Sequence, residues 1–264
     1  MFNLIRKLKN LKEGMIYGTN VYKSRCFTMK AGMEKLSYNN YSLYHRLGQN
    51  ILPYNDFIIV DVGANNGWFA KIMYCLDPKS KVISFEPLKS QQKYLETLKE
   101  KVPGYKYIDK AVGDKEGKQK IYEFGSSGLS SFRKITQGSY NDSEFNKKVV
   151  ASYEVDTVTL DKVFEKEDEK LLVKIDTQGY EINVLKGMEK LIASKKIACI
   201  IIELVVIEKY EGGASAPEII DFLTARGFEL FDLNPFFYES LTGQMSEFDA
   251  VFINRKVCNL RNIK

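Results

Sequence analysis

With 264 residues, 44% of them apolar, the chain can bury one large core, or one core with an appendage. Its 39 Lys and Arg stand against 34 Asp and Glu, a net charge of only +5 with the two signs interspersed, so a nucleic-acid partner, which favours a concentrated basic patch, is not expected. Four cysteines without a C-x-x-C pair, one histidine and no apolar run of membrane-spanning length argue against a disulfide scaffold, a multi-histidine zinc site and a transmembrane helix; a reducing cytoplasm is the expected setting.

Residues 1–13 place Ile5, Leu8 and Leu11 on a three-residue spacing with Arg6, Lys7, Lys9 and Lys12 between them. This pattern predicts a short basic amphipathic helix, packed on its own domain or, in the alternative, in weak contact with an anionic membrane surface. The segment is too broken by charge for a secretory signal. Residues 1–50 read as a helical extension and residues 51–264 as the main domain.

From Phe57 strands and helices alternate. FIIVDV (57–62) is a short buried strand, and WFAKIMYCL (68–76) a helix with Trp68, Ile72 and Leu76 recurring at four. KVISFE is a second strand, and KSQQKYLETLKEKV a helix carrying Leu95, Leu98 and Val102. YKYIDKAVG is a third strand candidate and KQKIYEF a more exposed fourth, and the polar stretch 136–149 reads as a loop insertion. KLLVKID and IACIIIEL are strongly apolar strands with the helix YEINVLKGMEKLI between them. APEIIDFLTARG has Pro217 in a first helical turn and Gly227 where a helix ends. Two last strands, FELFDL and FDAVFIN, flank a loop containing NPFFYESLTGQ. The alternation predicts an α/β fold with a mostly parallel sheet covered on both faces. Ligands of such sheets bind beyond the carboxyl ends of the strands, so Asp61–Trp68, Glu86, Asp109–Val112, Asp176–Glu181 and Glu203 carry the chemistry.

VDVGANNGWFA (60–70) is the most informative stretch. A dinucleotide loop requires G-x-G-x-x-G, whereas only Gly63 and Gly67 are present, and no Gly-Lys-Ser/Thr follows for a P-loop. Asp61 would repel a phosphate but attract the ammonium and sulfonium of S-adenosylmethionine. The attraction is worth about 4 kcal/mol at 4 Å and an effective dielectric near 20, before desolvation. Glu86, at the end of the second strand, is placed to accept two ribose hydroxyls, a feature shared with NAD enzymes. A dinucleotide-dependent oxidoreductase is therefore the alternative that the loop disfavours.

VDVGANNGWFA, FEP (85–87), AVGDKEG (111–117), VDTVTLD (155–161) and LLVKIDTQGYEINVLKGM (171–188) resemble, in order and spacing, the FkbM family of S-adenosylmethionine-dependent methyltransferases. The resemblance runs from about Phe57 to Asn254. It implies the class I methyltransferase (Rossmann-like) fold, a seven-stranded sheet with one antiparallel strand, and methylation of a hydroxyl on a sugar or natural product, with S-adenosylhomocysteine as coproduct. It further implies that Gly63, Ala64, Asn65, Asn66, Gly67 and Trp68 hold the methionine end of the cofactor, with Glu86 and Pro87 at the ribose. Asp109, Lys110 and Ala111 then border the adenine, and Asp176 faces the sulfonium. Two positions depart from the family pattern: Lys110 stands where Asn is frequent, and Gln178 where Glu is, removing a charge on the acceptor side.

A hydroxyl acceptor must lose a proton, and the candidate bases are Asp176, Glu181, Glu203 and His45. Asp176 is favoured because it ends a strand beside the expected methyl. Glu181 alternatively caps the helix it begins. Glu203 ends a very apolar strand and needs either a partner or the cleft. His45, on a Tyr-rich segment, has a suitable ordinary pKa but is more readily structural. The three carboxylates could also gather a divalent metal such as Mg²⁺, a reading not favoured. The loop GSSGLSSFRK (125–134) could reach over the cleft with hydroxyls and Arg133, and the aromatics of NPFFYES could stack on a sugar. Methylation of a protein or RNA, and a non-catalytic binding module, are the remaining alternatives.

Overall fold

The computed structural model describes residues 38–136, 144–239 and 242–261. The basic helix expected at residues 1–13 lies outside the described residues, as does the side chain of His45. In chain order the elements are α1 (Tyr38–Asn50), β1 (Phe57–Val62), α2 (Trp68–Leu76), β2 (Lys81–Phe85), α3 (Gln92–Lys101), β3 (Tyr105–Ile108), β4 (Ala111–Val112), β5 (Gly117–Phe124), α4 (Glu144–Lys147), β6 (Val149–Val158), α5 (Leu160–Val163), β7 (Lys170–Ile175), α6 (Glu181–Lys186), α7 (Glu189–Ala193), β8 (Ile197–Val205), α8 (Ala216–Thr224), β9 (Glu229–Tyr238) and β10 (Met245–Ile253).

Seven strands form one sheet in the order β3-β2-β1-β7-β8-β10-β9. β3, β2, β1, β7 and β8 run parallel, while β10 is antiparallel to both β8 and β9. This is the mostly parallel seven-stranded sheet with one reversed strand that the resemblance implies. Side chains alternate along β1: Ile58, Val60 and Val62 enter the core beneath α5–α8, while Phe57 and Ile59 enter the core shared with α1–α3. Leu43, Tyr44 and Leu47 of α1 belong to that second core, so the helix that closes residues 1–50 packs directly on the sheet. Connections leave β1 and β7 in opposite directions across the sheet, which opens a crevice beyond their carboxyl ends.

Four expectations about elements require correction. Residues 105–113 do not form one strand: β3 stops at Ile108, and Ala111–Val112 join a separate three-stranded sheet, β4-β6-β5. The insertion at 136–149 contains the short α4, and β6, read only as a motif, is a ten-residue strand. The helix between β7 and β8 is two helices. Gly187 separates them because a Cβ there would lie 2.0 Å from the carbonyl oxygen of Gly113. β9 continues through Asn234-Pro235-Phe236-Phe237, expected as loop; it is the edge strand, where a proline's missing N–H costs no ladder bond.

α8 is capped as its sequence suggests. The Ser215 amide donates to the Glu218 carboxylate at 2.7 Å, and Gly227 adopts φ +83° beyond the end.

Candidate active site

β1 delivers the chain into a turn that only glycine can make. Gly63 has φ +77°, and a Cβ on it would sit 1.8 Å from the carbonyl oxygen of Asp176. The two strand ends are thereby locked: Gly63 N–H donates to Phe85 O at 3.0 Å, and Asp176 N–H to Val62 O at 3.1 Å. Gly67, at φ +75°, begins α2 and lets Leu95 and Leu98 approach where a Cβ would meet them at 3.1 and 2.7 Å.

A cleft opens over these strand ends. Of the predicted residues, Gly63, Asn65, Glu86, Pro87, Ala111 and Asp176 line it. The others support it from behind or lie aside. Ala64 is buried in the α1–α3 core, and Trp68 packs edge-on against Tyr44 at 5.5 Å. Asn66 uses its carbonyl to accept from Lys71. Gly67, Asp109 and Lys110 are not on the wall. The small sheet and the loop after β5 supply most of the rest, with Ile121, Ser127, Gly128, Ser130 and Phe132 facing Leu88, Val112 and Tyr180. The serine-glycine loop was legible as a cleft cover. Tyr180 lies in the Asp176–Glu181 stretch and Phe132 in the loop 125–134, both read from the sequence as near the cleft, whereas Ile121 carried no local signal because it reads as an ordinary strand residue. Ser127 Oγ donates to Asn65 Oδ1 at 3.1 Å, joining that loop to the glycine turn, while Arg133 turns aside to Glu211 O and the Tyr180 ring.

Glu86, 4% exposed, accepts the backbone N–H of Asn65 at 2.6 Å and of Leu88 at 2.8 Å, one on each oxygen. Burial pushes its carboxyl up to about 7, partly offset by those two amides.

Asp61 does not reach the cleft. It is fully buried and, with Ser84 and Lys174, projects from the α1–α3 face of the sheet. Ser84 Oγ donates to Oδ2 at 3.1 Å, and the Lys174 ammonium lies 3.8 Å from Oδ1. Burial raises its carboxyl pKa, with Lys174 and Ser84 working against that.

Asp176 faces the cleft alongside Glu86 and is the more open of the two, with 34% of its side chain exposed. Burial alone would raise its pKa. The Lys174 ammonium at 3.0 Å and the Gln178 amide at 2.7 Å overcome that and hold it below the usual carboxylate range. Glu203 lies behind Gln178 and accepts from the same amide at 2.7 Å. Burial, then Asp176 and Glu247, push its carboxyl well above the usual range. Glu181 is turned into its own loop, accepting from Thr177 N–H, Thr177 Oγ and Gly179 N–H at 3.0, 3.1 and 3.1 Å. Among the described residues no group of three or more His, Cys, Asp or Glu is arranged to hold a metal, and no helix is long and apolar enough to cross a membrane.

The AMB antimetabolite synthetase AmbE of Pseudomonas aeruginosa is 26% identical over an alignment of 223 residues that covers 71% of this chain but only 10% of that protein. The crystal structure of methyltransferase FkbM from Methylobacillus flagellatus superposes with a TM-score of 0.45 and 12% identity, covering 74% of this chain and 43% of that one. An rRNA methylase from Streptococcus thermophilus gives 0.43 and 12%, covering 83% and 98%. At these scores neither structure adds to the fold described above. The family model described as the methyltransferase FkbM domain matches residues 61–230, from the buried aspartate of β1 into β9. That match spans both the glycine turn and the Asp176 loop: the chain belongs to the FkbM methyltransferase family.

Proposed function

We propose that the protein transfers a methyl group from S-adenosylmethionine to a hydroxyl of a sugar, glycan or small-molecule natural product. The observation that carries this reading is the charge of the cleft: among the described residues its wall contains two carboxylates, Glu86 and Asp176, and no lysine or arginine. Such a wall disfavours a pyrophosphate and favours a ligand bearing a sulfonium, an ammonium and a vicinal diol. The residues fit that ligand. Glu86 presents two oxygens whose second lone pairs are left for hydroxyl donors. Leu88, Val112, Ile121 and Phe132 offer apolar walls for a flat base, and the Gly63–Gly67 turn brings backbone close to the ligand.

When bound, the cofactor supplies an electrophilic methyl whose bond to sulfur breaks as the acceptor oxygen bonds to carbon. The chain's part is alignment and charge. Asp176, held ionised by Lys174 and Gln178, sits where it can orient the acceptor hydroxyl. It receives the proton late, once bond formation has made the hydroxyl acidic, a contribution of roughly 10²–10⁴-fold for a positioned base. Glu203 lies behind Gln178 and off the cleft wall, so it is not that base, and Glu181 serves the loop.

Calorimetric titration of the purified protein with S-adenosylhomocysteine and with NAD⁺ tests the cofactor. Binding of the first and not the second supports the reading, and the reverse refutes it. A screen for the mass gain of one methyl across hydroxylated glycans and metabolites then identifies the acceptor; a product methylated on nitrogen would refute the hydroxyl assignment.

A further inference from the structure

We infer that Gln178 is the positioning residue of this site: its side-chain amide orients the Asp176 carboxylate at the point of methyl transfer, while its backbone carbonyl ties it to the loop that roofs the cleft. The inference rests on the proposed methyl transfer. Its basis is the bonding of one buried amide. Nε2 donates to Asp176 Oδ1 at 2.7 Å and to Glu203 Oε2 at 2.7 Å. On the other side of the group, Oε1 accepts from Lys209 Nζ at 3.2 Å and lies 2.9 Å from the Tyr210 hydroxyl. An amide has two N–H donors and two lone pairs on oxygen; both donors and one lone pair are engaged here, and the single proton of the Tyr210 hydroxyl is shared between Oε1 and Leu129 O. The lysine can only donate, which fixes the amide orientation and aims both N–H groups at the acids.

The backbone supports the same arrangement. Gln178 has φ +55°, an unfavourable conformation for a residue with a Cβ, and its carbonyl accepts from Ser131 Oγ at 2.6 Å. Tyr210 is also 2.9 Å from Leu129 O. Ser131 and Leu129 both belong to the segment after β5 that covers the cleft, so one residue touches the acid and its buried neighbour through its side chain and the roof through its backbone carbonyl. A glutamate at this position would present a carboxylate to two carboxylates, so that the three must share protons.

Asp176 is surrounded by titratable groups from every packed element: Asp61 on β1, Lys174 on β7, Glu181 on α6, Glu203 on β8, Lys209 after β8, Asp249 on β10 and Tyr44 on α1. A ratio of two ligands cancels what these groups do to the cleft as a whole. Sinefungin carries an amine where the cofactor carries its methyl-sulfonium, whereas S-adenosylhomocysteine is neutral there. The ratio of their dissociation constants therefore reads the charge that Asp176 presents at the transfer point.

The test is calorimetric titration of both ligands into the full chain and its Gln178→Leu and Gln178→Glu variants, between about pH 6 and about pH 8. In the native protein the preference for sinefungin is expected to be flat across this range. Gln178→Leu should reduce it roughly tenfold, the size of a lost charge-assisted hydrogen bond, with S-adenosylhomocysteine affinity within about twofold of native. Gln178→Glu should make the preference rise with pH. Tyr210→Phe, a milder change, should lower the preference at least about twofold, and it serves if the Gln178 variants do not fold. Variants that weaken both ligands equally, leaving the ratio native and flat, would overturn the inference while sparing the cofactor reading. Failure of the native protein to bind either ligand would refute the cofactor reading, and this inference with it.

Discussion

Lys174 stands between two buried acids, so its removal should be among the most damaging single changes to stability. Its ammonium is 3.0 Å from Asp176 and 3.8 Å from Asp61, with 10% of its side chain exposed and none of Asp61's. At an effective dielectric near 20 these separations correspond to gross attractions of about 5 and about 4 kcal/mol. Most of that offsets desolvation, but deleting one partner strands the other charges, and the expected net cost of Lys174→Met is about 3–5 kcal/mol. The pH dependence follows from the shifts. Lys174 is held above its usual 10.5, so its contribution is complete below that value and is lost only as pH rises through the higher folded value. Asp176 is held below its usual 3.8, so its contribution is complete above that value and is lost as pH falls through the lower folded value. The deficit of the variant should therefore be full near neutrality and shrink as pH falls, because Asp61, whose pKa is raised by burial, takes up a proton before Asp176; about pH 7 and about pH 4 are the two conditions compared. Urea unfolding followed by far-ultraviolet circular dichroism at both pH values measures it. As a surface control, Lys99→Met removes a 3.5 Å pair that is half exposed on both sides and should cost under about 0.5 kcal/mol. A Lys174→Met deficit below about 1 kcal/mol, or one equal at the two pH values, would refute this account of the buried cluster.

Gly63→Ala places a methyl against the carbonyl of Asp176 and should cost at least about 3 kcal/mol and abolish S-adenosylhomocysteine binding; a variant with native melting temperature and affinity would exclude the locked turn. Glu86 must be ionised to accept two hydroxyls, and burial sets its carboxyl at about 7, so S-adenosylhomocysteine affinity should weaken as pH falls below that value and level off above it. Titrations in buffers of different ionisation enthalpy should show a proton released near pH 6, and a pH-independent affinity would remove Glu86 from the ribose site. Glu181→Ala should lose about 2 kcal/mol because three donors of the Asp176 loop lose their acceptor, whereas Glu181→Gln, which retains a carbonyl oxygen, should recover most of it; equal damage from both would point to the charge instead.

The parts of this protein legible in its sequence are those governed by local chemistry. Helical periodicity marked α2 residue for residue and located α3, and the glycines after β1 marked a turn where neighbouring chain packs closer than a Cβ allows. The ordered motifs indicated the family, and with it the seven-stranded sheet. What the sequence did not contain was direction across the sheet. FIIVDV is buried on both faces, so nothing in its pattern says toward which face Asp61 points; only pairing with β2 and β7 turns it to Ser84 and Lys174 and leaves Asp176 and Glu86 to face the cleft. Edge position, likewise, exists only once all strands are placed, and it is why β9 runs through Pro235. Gln178 read in isolation was a missing charge. Its meaning came from Lys209 and Tyr210, 31 and 32 residues away, because an amide's orientation is decided by the groups that fold around it.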